Sequence, residues 1–412
     1  MRTVHPPTLA RRLALPLLLL SAAPFARAQD DPAAPASTPA AAAFDLAPLE
    51  AAARELLEDA RGRRGFPGAG AGVVLADGRS FGVVTGAQDA AGAIPLGPDD
   101  QFLSGSIGKT YCAAIVLQLI GDGKLALDQR VATVLGERPW YAAVPNADAI
   151  TLRHLLTHRS GIPEHVWKDA FQRRVLAEPD RAPDPVECVG FIAGDAPLFA
   201  PGTDWSYADT NFVLLGLVVE AVTGAPFAAA LERRLLVPLE LTATAWNDGR
   251  AVPRLVDGHA SGVAFHRGST VTEGRYFVDA SFEYCGGGLR STPRDLARWG
   301  HALFAGDVVP ADLRAAQRTG VPCDRRVADG YGLGCFVLDT PLGPAFGHSG
   351  FMPGFQAMLE HFERPRLTVA LMWNTDDGRK VGNPRRAAEE LAARLVALLP
   401  PPASAAPGDQ AR

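Results

Sequence analysis

Residues Leu103 to Thr110 read LSGSIGKT, and two chemistries overlap in them. Gly108-Lys109-Thr110 ends like a loop that cradles phosphate. Ser106 and Lys109, three residues apart, have the spacing of a nucleophile and its own base. The phosphate loop GxxxxGK[S/T] needs glycine at its first position so that backbone N–H groups can approach the ligand. Leu103 stands there, and the polar run Gly97 to Gln101, where a buried strand is required, lies directly upstream of Phe102. If Ser106 opens a helix, Lys109 leaves nearly the same face one turn later. Its amine then reaches the serine hydroxyl, and the helix N-terminus favours developing negative charge. Ala113, Val116, Leu117 and Ile120 supply the buried stripe of such a helix.

Lysine is scarce, with four (Lys109, Lys124, Lys168, Lys380) among 40 basic residues. Where arginine fills most cationic positions, lysine at 109 calls for a chemical reason. A lysine can lose its proton in a shielded site and an arginine cannot.

Outward from this stretch, 46–61 has apolar residues at helical spacing up to Gly62. Segments 73–75 and 81–84 flank Asp77-Gly78, a favoured hairpin turn. Segments 333–338, 345–347, 356–362 and 367–373 read as strands, and 382–399 as a closing amphipathic helix. Between these β-rich ends, 107–328 is mainly helical pattern and loop. Both ends therefore contribute to one sheet, and the middle is a helical subdomain inserted into it. That is an α+β architecture with a cleft between its parts.

Length and composition agree: 412 residues, 47% hydrophobic and 21% charged, can bury a large core. The formal charge is −5, and removing residues 1–28, which hold four arginines and no acid, makes it more negative. This argues against a nucleic-acid partner. Residues 1–28 have the parts of a secretory signal peptide: Arg11 and Arg12, the apolar run Leu13 to Ala23, and a cleavage site at Ala26-Arg27-Ala28. That run, broken by Pro16, is too short to span about 30 Å of hydrocarbon. Export to the periplasm or medium is expected, with no stable membrane span after cleavage. Residues 29–43 read as an Ala/Pro-rich linker, 44–399 as the folded domain, and 400–412 as a frayed tail. The five cysteines fit no zinc or CxxC spacing and leave at least one thiol unpaired.

Two further patterns fall short. Gly347 to Phe351 (GHSGF) lacks the final glycine of the GxSxG nucleophile elbow. His154 and His158 have helical metal-pair spacing, but Leu155 replaces the glutamate of HExxH, so hydrogen-bonding histidines are the better reading. Cys285, beside Gly286 to Gly288, reads as a small buried residue.

Taken in order, SGSIGKT, LLTHRSGI, APGTDWSYADTNFVLLG, CGGGLRST and GHSGFMPGFQA resemble the serine β-lactamase and D-alanyl-D-alanine carboxypeptidase family, over about residues 44–399. The resemblance implies a β-lactamase-like antiparallel sheet flanked by N- and C-terminal helices, with the helical subdomain as the other cleft wall. It implies that Ser106 is acylated, that Lys109 is its partner base, and that Tyr207 shares proton transfer to the leaving group. A phenol loses its proton near pH 10, so Tyr207 would rely on positive charge such as Lys109. The backbone N–H groups of Ser106 and Phe351 would form the oxyanion hole, and Asp209, His348, Ser349 and Gly350 the substrate wall. No metal or organic cofactor is implied, and the partner is a small-molecule or peptide acyl substrate.

Two positions depart from the family pattern. Asp209 stands where asparagine is common; it can pair with Lys109 but cannot donate to substrate when ionised. His348-Ser349-Gly350 replaces the Lys-Thr-Gly of many β-lactamases, which removes a permanent cation from the wall. Both favour a general acyl hydrolase, acting on D-amino-acid peptides or small esters, over a β-lactamase proper or a catalytically silent penicillin-binding scaffold.

Overall fold

The computed structural model describes residues 44–89 and 91–400. The segments read as signal peptide and linker (1–28, 29–43), and all of the expected tail beyond residue 400, lie outside them. The described residues from Asp45 onward form one compact unit.

Its centre is an antiparallel seven-stranded sheet. The strands are β1 (Gly68–Val74), β2 (Ser80–Gly86), β3 (Gly330–Tyr331), β4 (Phe336–Thr340), β5 (Gly343–Met352), β6 (Phe355–Phe362) and β7 (Leu367–Trp373), ordered β3-β4-β5-β6-β7-β1-β2. The two chain ends meet where β1 pairs with β7, Ala71 opposite Leu371. This is the shared sheet expected from the sequence.

Helices α1 (Ala47–Arg64) and α5 (Pro384–Leu398) pack together on one face of the sheet. Helix α1 passes through Gly62 and stops only where Gly65 turns left-handed, at φ 71°. The other face is covered by α4 (Pro293–Ala305). That placement corrects the expected extent of the inserted subdomain, because residues 293–305 belong to the sheet layer. The reason lies in β1, whose sequence GAGAGVV has little strand propensity. A Cβ at Gly72 would lie 1.8 Å from the Pro293 carbonyl oxygen, so bare backbone is what lets α4 approach.

The inserted part is built around α2 (Gly108–Gly121) and α3 (Asp209–Thr223), which pack on each other. Helix α2 is buried continuously from Gly108 to Leu117, where the sequence suggested a single stripe. A helix apolar on all sides is a core helix. Its apolar residues merge with those of the sheet into one hydrophobic core. Among the described residues, no single helix is long and apolar enough to cross a membrane.

Candidate active site

Ser106 sits in a 3-10 turn, Gly105–Ile107, immediately before α2, and the two-residue strand Phe102–Leu103 precedes it. One turn on, Lys109 lies wholly inside the core, its Nζ 3.0 Å from Ser106 Oγ and 3.0 Å from the Gly286 carbonyl. The third contact of Nζ is the Asp209 carboxylate, presented by the first residue of α3. Three acceptors match the three N–H groups of an ammonium.

Burial pushes the Lys109 pKa down, but the acidic groups around it, the Asp209 carboxylate foremost, outweigh burial and the net shift is upward. This corrects the expectation that shielding alone would free the amine of its proton. The shielding is present, but a carboxylate is shielded with it. For Asp209 itself, burial prevails over the attraction of Lys109 and raises its pKa, so its carboxylate is more basic than usual.

Tyr207 lies beside this pair. Lys109 Nζ is 5.1 Å from its ring centroid, and Tyr207 lines the same cavity as Ser106. Burial, then the charge of Asp209, pushes the phenol well above its ordinary range. The expected help from Lys109 is cancelled because its charge is taken up by Asp209, and Tyr207 is a neutral phenol at rest.

His348 stands where many β-lactamases carry a permanent cation. Burial and the nearby Lys109 push it down to about 3, so it is neutral. Its Nδ1 lies 2.6 Å from the Ser349 carbonyl, which fixes Nδ1 as the donor and Nε2 as the acceptor for Tyr331 Oη at 3.0 Å. Tyr331 Oη in turn accepts from His158 Nε2 at 3.1 Å, and His158 Nδ1 accepts from the Ala208 N–H at 3.2 Å. This buried chain joins the THRSG, YAD and GHSG segments. It also accounts for His158, while His154 closes a capping box with Thr151; the two histidines do not pair.

The Tyr207–Asp209 turn is held from below by Glu164. Its carboxylate accepts from the N–H groups of His165 (2.6 Å), Val166 (2.9 Å) and Asp209 (2.5 Å). Although burial opposes it, hydrogen bonds from His165 and the backbone bring Glu164 down to about 2. An anion at the start of α3 also suits the helix dipole. Glu164, Tyr331 and Glu283 escaped sequence reasoning. Glu283, two residues before Cys285, carried the one usable signal, an acid beside a glycine run. Cys285 is fully buried, its thiol donating to the Phe212 carbonyl, and all five cysteines are free.

Ser349 lies within β5 in extended backbone, which excludes a nucleophile elbow. Strand β5 and the serine turn are in close contact. Gly105, with φ 51°, would place a Cβ 2.5 Å from the Phe351 nitrogen, and a Cβ at Gly350 would lie 1.9 Å from the Ser104 carbonyl oxygen. The Ser106 and Phe351 segments are therefore adjacent because two glycines permit it. Gly350→Ala is expected to cost about 1–3 kcal/mol of stability by overpacking and to slow labelling of Ser106 by a serine-reactive probe by parting the two segments. Thermal unfolding and labelling rates unchanged from the parent would contradict this close-contact account.

Ser106, Tyr207, Asp209, His348, Ser349 and Phe351 all line one cavity of about 420 Å³, with Lys109 behind its wall. A hydroxyl touching a buried amine, a neutral phenol and a carboxylate at the end of an apolar cavity can move protons while a carbonyl is attacked.

The sequence matches the family model described as Beta-lactamase over residues 51–394. It is 28% identical to esterase EstB of Burkholderia gladioli, covering 76% of this chain and 90% of that protein. It is 25% identical to penicillin-binding protein 4* of Bacillus subtilis, across 69% of this chain and 62% of that protein, so the chain spans less than two thirds of that relative. A solved D-stereospecific amidohydrolase from Streptomyces sp. superposes with a TM-score of 0.69 at 29% identity, covering 81% of this chain and 97% of that one.

Proposed function

The chain belongs to the β-lactamase family and is a serine hydrolase, and on that footing we propose that it is exported and works through an acyl-enzyme on Ser106. Its acyl donors are D-amino-acid peptides or amides, or small esters. The observation that carries this reading is Ser106 Oγ 3.0 Å from the buried Lys109 Nζ, at the wall of the cavity that Tyr207 also lines. The names of the esterase and amidohydrolase relatives support the substrate classes, and the N-terminal pattern of residues 1–28 supports export.

Lys109 begins as an ammonium. Passing one proton to the unusually basic Asp209 carboxylate gives a neutral amine and acid, a pair suited to a low-dielectric site. The amine takes the Ser106 proton as Oγ attacks the carbonyl. Backbone N–H groups of Ser106 and Phe351 receive the oxyanion, each donor of this kind being worth roughly two to three powers of ten in rate. Tyr207 gives its phenolic proton to the departing amine or alkoxide and recovers one from Lys109, while Asp209 returns its proton to Lys109. Water then releases the acid by the same groups in reverse. Covalent labelling of Ser106 by a fluorophosphonate or fluorescent penicillin tests the reading, and failure of both probes on folded protein would favour a silent scaffold.

A neutral His348 and an ionisable Asp209 leave the wall without a fixed cation for a β-lactam carboxylate. Short-chain p-nitrophenyl esters or D-amino-acid amides are therefore expected to turn over faster than nitrocefin. Rapid nitrocefin hydrolysis, with esters and amides inert, would instead make this a β-lactamase proper.

A further inference from the structure

Glu283 has no part in the acyl transfer above, yet it lines the same cavity. It precedes the 3-10 turn Tyr284–Gly286, whose final carbonyl accepts from Lys109. Its side chain is almost wholly enclosed, at 7% exposure, and Oε2 is buried without a hydrogen-bond partner. The space it occupies is opened by Gly287, where a Cβ would lie 1.8 Å from that oxygen. A buried polar atom left unsatisfied is costly, and native proteins keep few of them.

The charges around it point to what is missing. Glu164, Asp209 and Glu283 all face the cavity. Glu164 is occupied by three backbone N–H groups and Asp209 by Lys109. Lys109, the nearby cation, is enclosed and already has three acceptors, and His348 is neutral. A substrate carboxylate entering here would meet three carboxyl groups, whereas a substrate cation would meet one that lacks a partner. Among the described residues no three metal-binding side chains are grouped to hold an ion. The remaining wall is apolar, with Trp167, Phe265, Phe282, Phe336 and Phe351.

From this geometry we infer that Glu283 receives the free α-ammonium of the acyl donor, so that the preferred substrates are amides and esters of apolar amino acids with an unblocked amine. The inference rests on the acyl-enzyme reading and narrows it. Burial and the Asp209 charge push the Glu283 carboxyl up to about 8, so an arriving cation is what holds it ionised.

The test compares phenylalanine p-nitroanilide with its N-acetyl derivative, in both enantiomers, on the parent and on Glu283→Gln. The parent should favour the free amine on the order of 10–100-fold in kcat/KM, mainly through KM, the scale of one charge-assisted hydrogen bond. In Glu283→Gln that ratio should fall to within about threefold of one. A parent that turns over the blocked substrate equally well, or a variant that keeps the parental ratio, overturns the inference. A binding measurement on the parent alone guards against a variant that fails to fold. Phenylalaninamide should raise the melting temperature and N-acetylphenylalaninamide should not; equal shifts overturn the inference. Fluorophosphonate labelling separates the two levels: a labelled serine without amine preference removes only the role of Glu283, and an unlabelled serine removes the acyl-enzyme reading.

Discussion

Lys109→Arg is expected to be about as inert as Lys109→Ala, each slowing acylation of Ser106 by ~10²–10⁴-fold, the scale of losing a general base. In the proposed mechanism Lys109 must release a proton to Asp209 and take one from Ser106. A guanidinium stays protonated throughout. Geometry opposes arginine too, since Lys109 has no exposure and its three acceptors surround a point-like ammonium. Truncation to alanine leaves Asp209 buried without its cation. Breaking such a pair typically costs about 3–5 kcal/mol, so Lys109→Ala should be folded by circular dichroism but melt earlier. Added ATP should leave the melting temperature of the parent unchanged. Substantial ester hydrolysis by a folded Lys109→Arg protein would end the base role. Saturable ATP stabilisation lost in Lys109→Ala would restore the phosphate-loop reading of residues 103–110.

Tyr207→Phe is expected to slow acylation at least about a hundredfold, as the loss of a positioned proton donor does. The ring packs 4.2 Å from His158 and lies under Lys109, and phenylalanine keeps both contacts, so stability should change little. The Tyr207 phenol is held neutral, so the missing function is proton donation to the leaving group. The deficit should therefore be largest for amides, which leave poorly, and smaller for p-nitrophenyl esters, whose leaving group needs no proton. Near-parental rates on both classes at every pH would make Tyr207 structural.

Several features were legible in sequence because they depend on local spacing. The i to i+3 interval of Ser106 and Lys109 is a property of one helical turn and holds in the structure at 3.0 Å. The β-rich ends and closing helix follow from hydrophobic period and turn residues. Strand β1 was read only from Val73 because glycine carries no propensity signal, and its role emerges when α4 lies against it.

The protonation states were not legible. Sequence read Lys109 as shielded and Tyr207 as adjacent to positive charge, and both statements are locally true. The outcome turned on Asp209, 100 residues further along the chain, whose carboxylate reaches Lys109 only through the packing of α3 on α2. His348 likewise became neutral through burial beside Lys109.

By itself, the sequence determined the Ser106–Lys109 hydroxyl–amine pair, the order of the motifs and an α+β frame closed by both chain ends, because each depends on neighbours along the chain. Only the tertiary structure decided which of the carboxyl groups is satisfied. Glu164 accepts three backbone N–H groups, Asp209 holds Lys109, and Glu283 has an enclosed oxygen without a partner. The physical reason is that charge in a low-dielectric interior is set by distances and solvent exclusion between segments far apart in sequence, and neither is written in local spacing.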